Sequence, residues 1–253
     1  MRIFFLLLVA SLTVAQKPAL QKDRQVLMDF RKNIETAEPQ IPLATQRMVL
    51  SKVFRRYLTD ESKCSSEFNA SDADPLAAAR KAGQIVPRIL GSATGSFTGP
   101  GESQTAYVIF VAECNASHAD NFGTKRVAIF TGQRLIVDLD VDFKRDIVRK
   151  TDLNSDGVDE LLMTSGDMNQ GTVVEMAALV GFESGRFRVL HDFGGVLDDS
   201  CGSGRPGSTA TASVLYISDV VPGNMPKLTM ENYESRCGQR MRWRLVSTGK
   251  RQD

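Results

Sequence analysis

The chain has 253 residues, with 31 basic side chains against 30 acidic ones and a hydrophobic share of 42%. A balance this close to neutral, with no acidic tail, gives no reason to expect a nucleic-acid partner. The length is enough to bury a substantial core in one domain, or in one domain with an arm.

The chain opens with Met1-Arg2-Ile3-Phe4-Phe5-Leu6-Leu7-Leu8-Val9-Ala10, followed by the small-residue stretch Thr13-Val14-Ala15. One basic residue before a short apolar run is the layout of a secretory signal peptide, so residues 1–15 are expected to be removed. The run is too short for the roughly 20 residues that span a bilayer, and no later segment is apolar enough to do so. No cysteine follows it, which argues against a lipid anchor. The expectation is a secreted or periplasmic protein with no membrane span, whose mature net charge is zero once Arg2 is gone.

Four cysteines remain: Cys64, Cys114, Cys201 and Cys237. An even count in an exported chain reads as two disulfides. Three pairings are possible, and proximity in sequence favours Cys64–Cys114 with Cys201–Cys237. No pair has the spacing of a zinc site or a redox motif.

Residues 16–84 read as a helical N-terminal segment. Leu20, Val26, Leu27, Phe30 and Ile34 fall near a 3.6-residue period until Pro39 and Pro42 interrupt it. Met48, Leu50, Val53, Phe54 and Leu58 repeat the pattern, with Arg47, Lys52, Arg55 and Arg56 on a solvated face. A short Ala-rich helix is expected from Pro75 to about Gly83, capped by Asp74.

From 85 to 248 the pattern changes to short β-rich runs between glycine turns. Strands are expected at 105–111, 126–130, 135–141, 160–164, 172–180, 186–190, 212–217, 227–230 and 240–246, with hairpin turns at Gly132-Gln133 and Ser184-Gly185. The domain is therefore predominantly β and antiparallel. Within it, Val137-Asp138-Leu139-Asp140-Val141-Asp142 puts three acids on one strand face, read as solvated. Arg240-Met241-Arg242-Trp243-Arg244-Leu245 mirrors it in charge, and could pair with it across a sheet or bind an anion. Trp243 reads as core.

The densest chemistry is Asp152-Leu153-Asn154-Ser155-Asp156-Gly157-Val158-Asp159-Glu160. Oxygen-bearing side chains alternate at positions one, three and five, glycine stands at six and an acid at nine. A hard cation such as Ca²⁺ takes about six to eight oxygens on a loop that turns sharply. An EF-hand is excluded, because position twelve is Met163 and the flanks look extended. The segment 95–101 aligns weakly with 151–157, and Ser96, Thr98 and Pro100 stand where Asp152, Asn154 and Asp156 stand.

These residues resemble the FG-GAP (VCBS) repeats of integrin-like propellers and of many exported bacterial proteins, over roughly residues 90–195. The resemblance implies Asp152, Asn154, Asp156 and Glu160 as side-chain ligands and the Val158 carbonyl as a fifth. Glu160 departs from the Asp more usual there. It also implies blade-like units. Propellers need about four to eight blades, so the expected form is an incomplete propeller or open sheet array packed by the N-terminal helices.

No GxSxG elbow, HExxH or P-loop occurs. Neither His118 nor His191 reads as catalytic, and Asn69 and Asn115 head glycosylation sequons. The leading expectation is an exported Ca²⁺-binding β domain of binding or structural role, with a protein or glycan ligand. The alternative is an exported hydrolase acting on glycans or other extracellular substrates, drawing acids from 138–160.

Overall fold

A computed structural model describes residues 24–32, 40–54, 88–110, 125–141, 146–183, 185–238 and 241–249. The signal segment, Cys64, Cys114, His118, both sequons and the helix expected at 75–83 lie outside the described residues. The described chain is mainly β and antiparallel, an open array of two sheets. The smaller sheet contains β2 (Arg88–Gly95), β3 (Gln104–Phe110), β4 (Lys125–Thr131) and β5 (Arg134–Asp140) in sequence order. The larger contains β6 (Asp146–Thr151), β7 (Glu160–Asn169), β8 (Thr172–Glu183), β9 (Arg186–Asp199), β10 (Thr209–Ser218), β11 (Lys227–Arg236) and β12 (Arg244–Thr248). It is strongly curled, like half of a barrel. Three register shifts between β8 and β9 supply bulges that add twist and bend the sheet.

Residues 25–29, expected to be helical, form a strand instead. This strand, β1 (Gln25–Asp29), pairs antiparallel with β10. The helical reading rested on the near-3.6 spacing of Leu20, Val26, Leu27, Phe30 and Ile34, of which Val26, Leu27 and Phe30 are among the described residues. A bulge between Val26 and Met28 lets Leu27 and Phe30 share a face within an extended chain, burying both and leaving Val26 52% exposed. The second helical pattern is a helix, α1 (Leu43–Phe54), which lays Val49, Leu50 and Val53 on the outer face of the smaller sheet against Ile109 and Phe130.

Two further cores complete the layers. Ala106, Val108, Val127 and Ile129 of the smaller sheet meet Leu161, Met163, Ala178 and Val180 of the larger. Leu162, Ala177 and Leu179 turn the other way, into the hollow of the curled sheet, with Phe193, Leu215, Met230, Leu27 and Phe30. β7 and β8 are thus covered on both faces. This is why Glu160-Leu161-Leu162-Met163 continues as an apolar run after its first residue rather than alternating. Trp243 packs, partly buried, at the edge of the same inner core.

Of the acids expected on a solvated face at 137–142, Asp140 is exposed but Asp138 is not, and Asp142 lies outside the described residues. Asp138 is 1% exposed and accepts a 2.6 Å hydrogen bond from Arg126 Nε on neighbouring β4. Arg126 Nη1 also bonds Asp140, which is exposed. An ion pair across adjacent strands lets the Asp138 carboxylate be buried, and an isolated strand cannot reveal it.

The Cys201–Cys237 disulfide forms as expected. Its Cys201 opens a 3₁₀ turn, Cys201–Ser203, whose Gly202 lies against Gly171 of the β7–β8 turn. Gly171 there has φ +78°, and a Cβ on it would lie 2.3 Å from the Gly202 carbonyl oxygen. Gly171→Ala is expected to cost on the order of 2–3 kcal/mol in urea unfolding, from left-handed backbone plus displaced main chain. Gly204→Ala, with φ +68° but open space around it, should cost only about 1 kcal/mol.

β1 is locked to its neighbours by a polar cluster. Arg24 Nη1, Tyr216 Oη and Tyr233 Oη donate to the Glu231 carboxylate at 2.6, 3.0 and 2.7 Å. Burial alone would raise the pKa of Glu231, but these three donors outweigh it and hold the pKa below its ordinary value. A carboxylate depressed in this way stabilises the fold above its unfolded pKa, and the contribution is lost as pH falls through the folded value. Glu231→Gln is therefore expected to be about 2 kcal/mol less stable at neutral pH. It should also show a shallower loss of stability below about pH 4.5, as read by denaturation at a series of pH values.

Candidate metal centre

The acidic motif forms the eight-residue loop 152–159 that joins β6 to β7, with Thr151 and Glu160 paired at its base. Leu153 is buried and anchors the loop in the inner core, whereas Asn154 and Asp156 remain accessible. Ser155 (φ 56°) and Gly157 (φ 84°) both adopt left-handed backbone, which folds the loop on itself. Asp152 accepts from the Asp156 and Gly157 amides at 3.2 and 3.0 Å, and Asn154 Oδ1 accepts from the Asp156 amide at 3.1 Å. Asp156 accepts from the Val158 amide at 2.8 Å and from Asn154 Nδ2 at 2.8 Å. The loop is held by acceptors that draw its own N–H groups inward.

Glu160 lies below this turn and is 5% exposed. One oxygen accepts the Leu153 amide at 2.9 Å. Beyond that amide and its own, no donor among the described residues reaches the carboxylate. Burial, followed by repulsion from Asp156 and Asp152, pushes its pKa up to about 7, against an ordinary 4.5.

The oxygens of Asp152, Asp156 and Glu160 are brought to one loop but are not gathered into one tight shell. Among the described residues, the only three His, Cys, Asp or Glu side chains with ligand atoms all within 4.8 Å of one another are Asp199, Cys201 and Cys237. The last two are bonded to each other and offer no thiolate. At 152–160 the donor set is entirely oxygen, which suits a hard divalent cation over zinc or copper. When ionised, Glu160 would add a buried negative charge to that set. Val158 is used here through its amide, and its carbonyl accepts no hydrogen bond among those described.

No protein-family model matches the chain, and no curated protein or solved structure is significantly similar to it.

Three long-range hydrogen bonds and one nearer ion pair, none of which the motif reveals, hold the loop in place. Asp159, immediately before Glu160, donates its amide to the Ser96 carbonyl at 2.6 Å and accepts the Ser96 amide on Oδ2 at 2.8 Å. Its Oδ1 pairs with Lys150 Nζ at 3.0 Å. Gly95 must lack a side chain for this, because a Cβ would sit 2.4 Å from Asp159 Oδ2. On the other flank the Gly223 amide of the β10–β11 turn donates to the Asn154 carbonyl. The loop is therefore braced between the smaller sheet and the far end of the larger one. A glycine at the end of β2 was the only trace of this in the sequence.

His191 stacks edge-on to Phe193, with ring centroids 4.5 Å apart. Both line a half-open cavity of about 440 Å³ with Arg24, Leu228, Met230 and Thr248. No Asp or Glu is among its described lining residues.

Proposed function

We propose that this protein is an exported Ca²⁺-binding β domain, and that the ion holds the β6–β7 loop in shape for a binding or structural role. The observation that carries this reading is Glu160. It is a buried carboxylate with too few donors, set below a turn that already carries Asp152, Asn154 and Asp156. Those four side chains and the Val158 carbonyl would hold the ion, the set that the likeness to FG-GAP repeats also implies. A bound cation would supply charge compensation and would fix a loop whose acids otherwise repel one another. Its part is structural, and the partner would be a protein or glycan met by the surface that the loop stabilises.

Calorimetric titration and thermal melting test the proposal. One Ca²⁺ per chain is expected, with a stabilisation of about 2.7 kcal/mol when free Ca²⁺ is 100 times its dissociation constant. Chelator should remove the gain, and Asp156→Ala should melt alike in both conditions. A wild-type protein that takes up no Ca²⁺ and melts identically with ion and with chelator would refute it.

A further inference from the structure

We propose that the 96–103 loop is a metal-free counterpart of the 152–159 loop, and that the side chain closing each loop, Gln104 or Glu160, decides whether it depends on a cation. This rests on the Ca²⁺ reading above. An offset of 56 residues carries the end of β2, Gly95, onto the end of β6, Thr151, and the start of β3, Gln104, onto the start of β7, Glu160. Both loops have eight residues. At the same place in each, a buried apolar residue, Phe97 or Leu153, donates its amide to the closing side chain, at 2.8 and 2.9 Å. Gly101 and Gly157 occupy one position and share left-handed backbone, with φ of 73° and 84°.

The loops part company in how the closing side chain is satisfied. Gln104 is 2% exposed and accepts the Phe97 and Thr98 amides on Oε1, at 2.8 and 3.0 Å. Its Nε2 donates to Thr98 Oγ1 at 2.6 Å. An amide offers both donor and acceptor, so one hydroxyl and two N–H groups complete it. Glu160 can only accept when ionised, and where Thr98 stands in the first loop the second has Asn154, which turns to Asp156 instead. Ser96 and Pro100, uncharged, are replaced by Asp152 and Asp156. The first loop closes with neutral hydrogen bonds, and the second gathers negative charge around a buried carboxylate. The cation does for Glu160 what Thr98 does for Gln104.

Two single variants of the full chain test this, each titrated with Ca²⁺ in a calorimeter and melted with ion and with chelator. Glu160→Gln is expected to weaken Ca²⁺ binding by about 100-fold or more, beyond the cost of an outer-shell change. In chelator it should melt at or above the wild-type temperature, because an under-compensated charge is gone. Gln104→Glu is expected to melt below wild type with or without Ca²⁺, since Ser96, Thr98 and Pro100 stand where the second loop has Asp152, Asn154 and Asp156, and the one acid of the first loop, Glu102, is exposed and matches Val158 instead. The inference is overturned if Glu160→Gln binds Ca²⁺ as wild type does, if it fails to fold or melts lower in chelator, or if Gln104→Glu leaves melting unchanged. Wild type binding no Ca²⁺ would sink the ion-site reading instead, whereas the two chelator comparisons would still decide the closure claim.

Discussion

Replacing Cys201 and Cys237 together by serine is expected to destabilise the protein by about 4 kcal/mol, read as a fall in the urea midpoint. The bridge joins residues 36 apart, so opening it returns a long loop's freedom to the unfolded chain. It also acts on the native side. Cys201 follows β9 and Cys237 follows β11, so the bond ties two strands that flank β10 on opposite edges. The Cys237 amide donates to the Ser208 carbonyl at 3.1 Å, closing the same corner. Loss of the bridge should therefore loosen the Gly171–Gly202 contact, visible as faster amide exchange in the β7–β8 turn. A loss under about 1 kcal/mol would mean that the corner is held by its hydrogen bonds alone.

Phe97→Ala is the second large effect expected, at about 3–5 kcal/mol. Phe97 belongs to a loop, yet it is completely buried between the two sheets and meets Phe182 edge-on, with centroids 6.4 Å apart. Removing the ring leaves a cavity where strands from both sheets converge, with little freedom to collapse. Leu153→Ala, at the corresponding place in the other loop, opens the inner core instead and should cost about 2–4 kcal/mol. The sites lie in separate cores, so the double variant should show near-additive losses in denaturant unfolding. A strong departure from additivity would show that the two loops are coupled through the Asp159–Ser96 brace.

Sequence was most informative where its pattern reports local geometry. The strands β3, β4, β5, β7, β8, β10 and β11, the two-residue turn at Gly132 and the pairing of Cys201 with Cys237 follow from alternation, glycine and proximity. It was least informative where a partner distant in sequence overrides the local signal. The bulge in β1 counterfeits helical spacing. β2, with Gly91, Ser92, Ala93 and Thr94, has few of the bulky residues that announce a strand, and relies on its ladder with β3. The acidic strand changes its meaning because Arg126 sits one strand away. The oxygen-rich loop stood out as a motif, but Asp159, which braces it, belongs to no spacing rule. The part played by Gln104 becomes visible only when the two hairpins are laid over each other.

The pairing of β1 with β10 has a kinetic consequence. Gln25 faces Ile217, and β10 divides its edge so that residues 210–212 meet β9 while 214–217 meet β1. A chain delivered from its N-terminus must carry Leu27 and Phe30 without their strand partner until β10 has emerged. Closing so long a loop makes this a late step in folding. Until it happens, the free edge of β10 is a ready template for another chain. The interval between synthesis and docking of β1 is thus when this protein is most exposed to aggregation, and when a chaperone that shields short apolar segments would matter most.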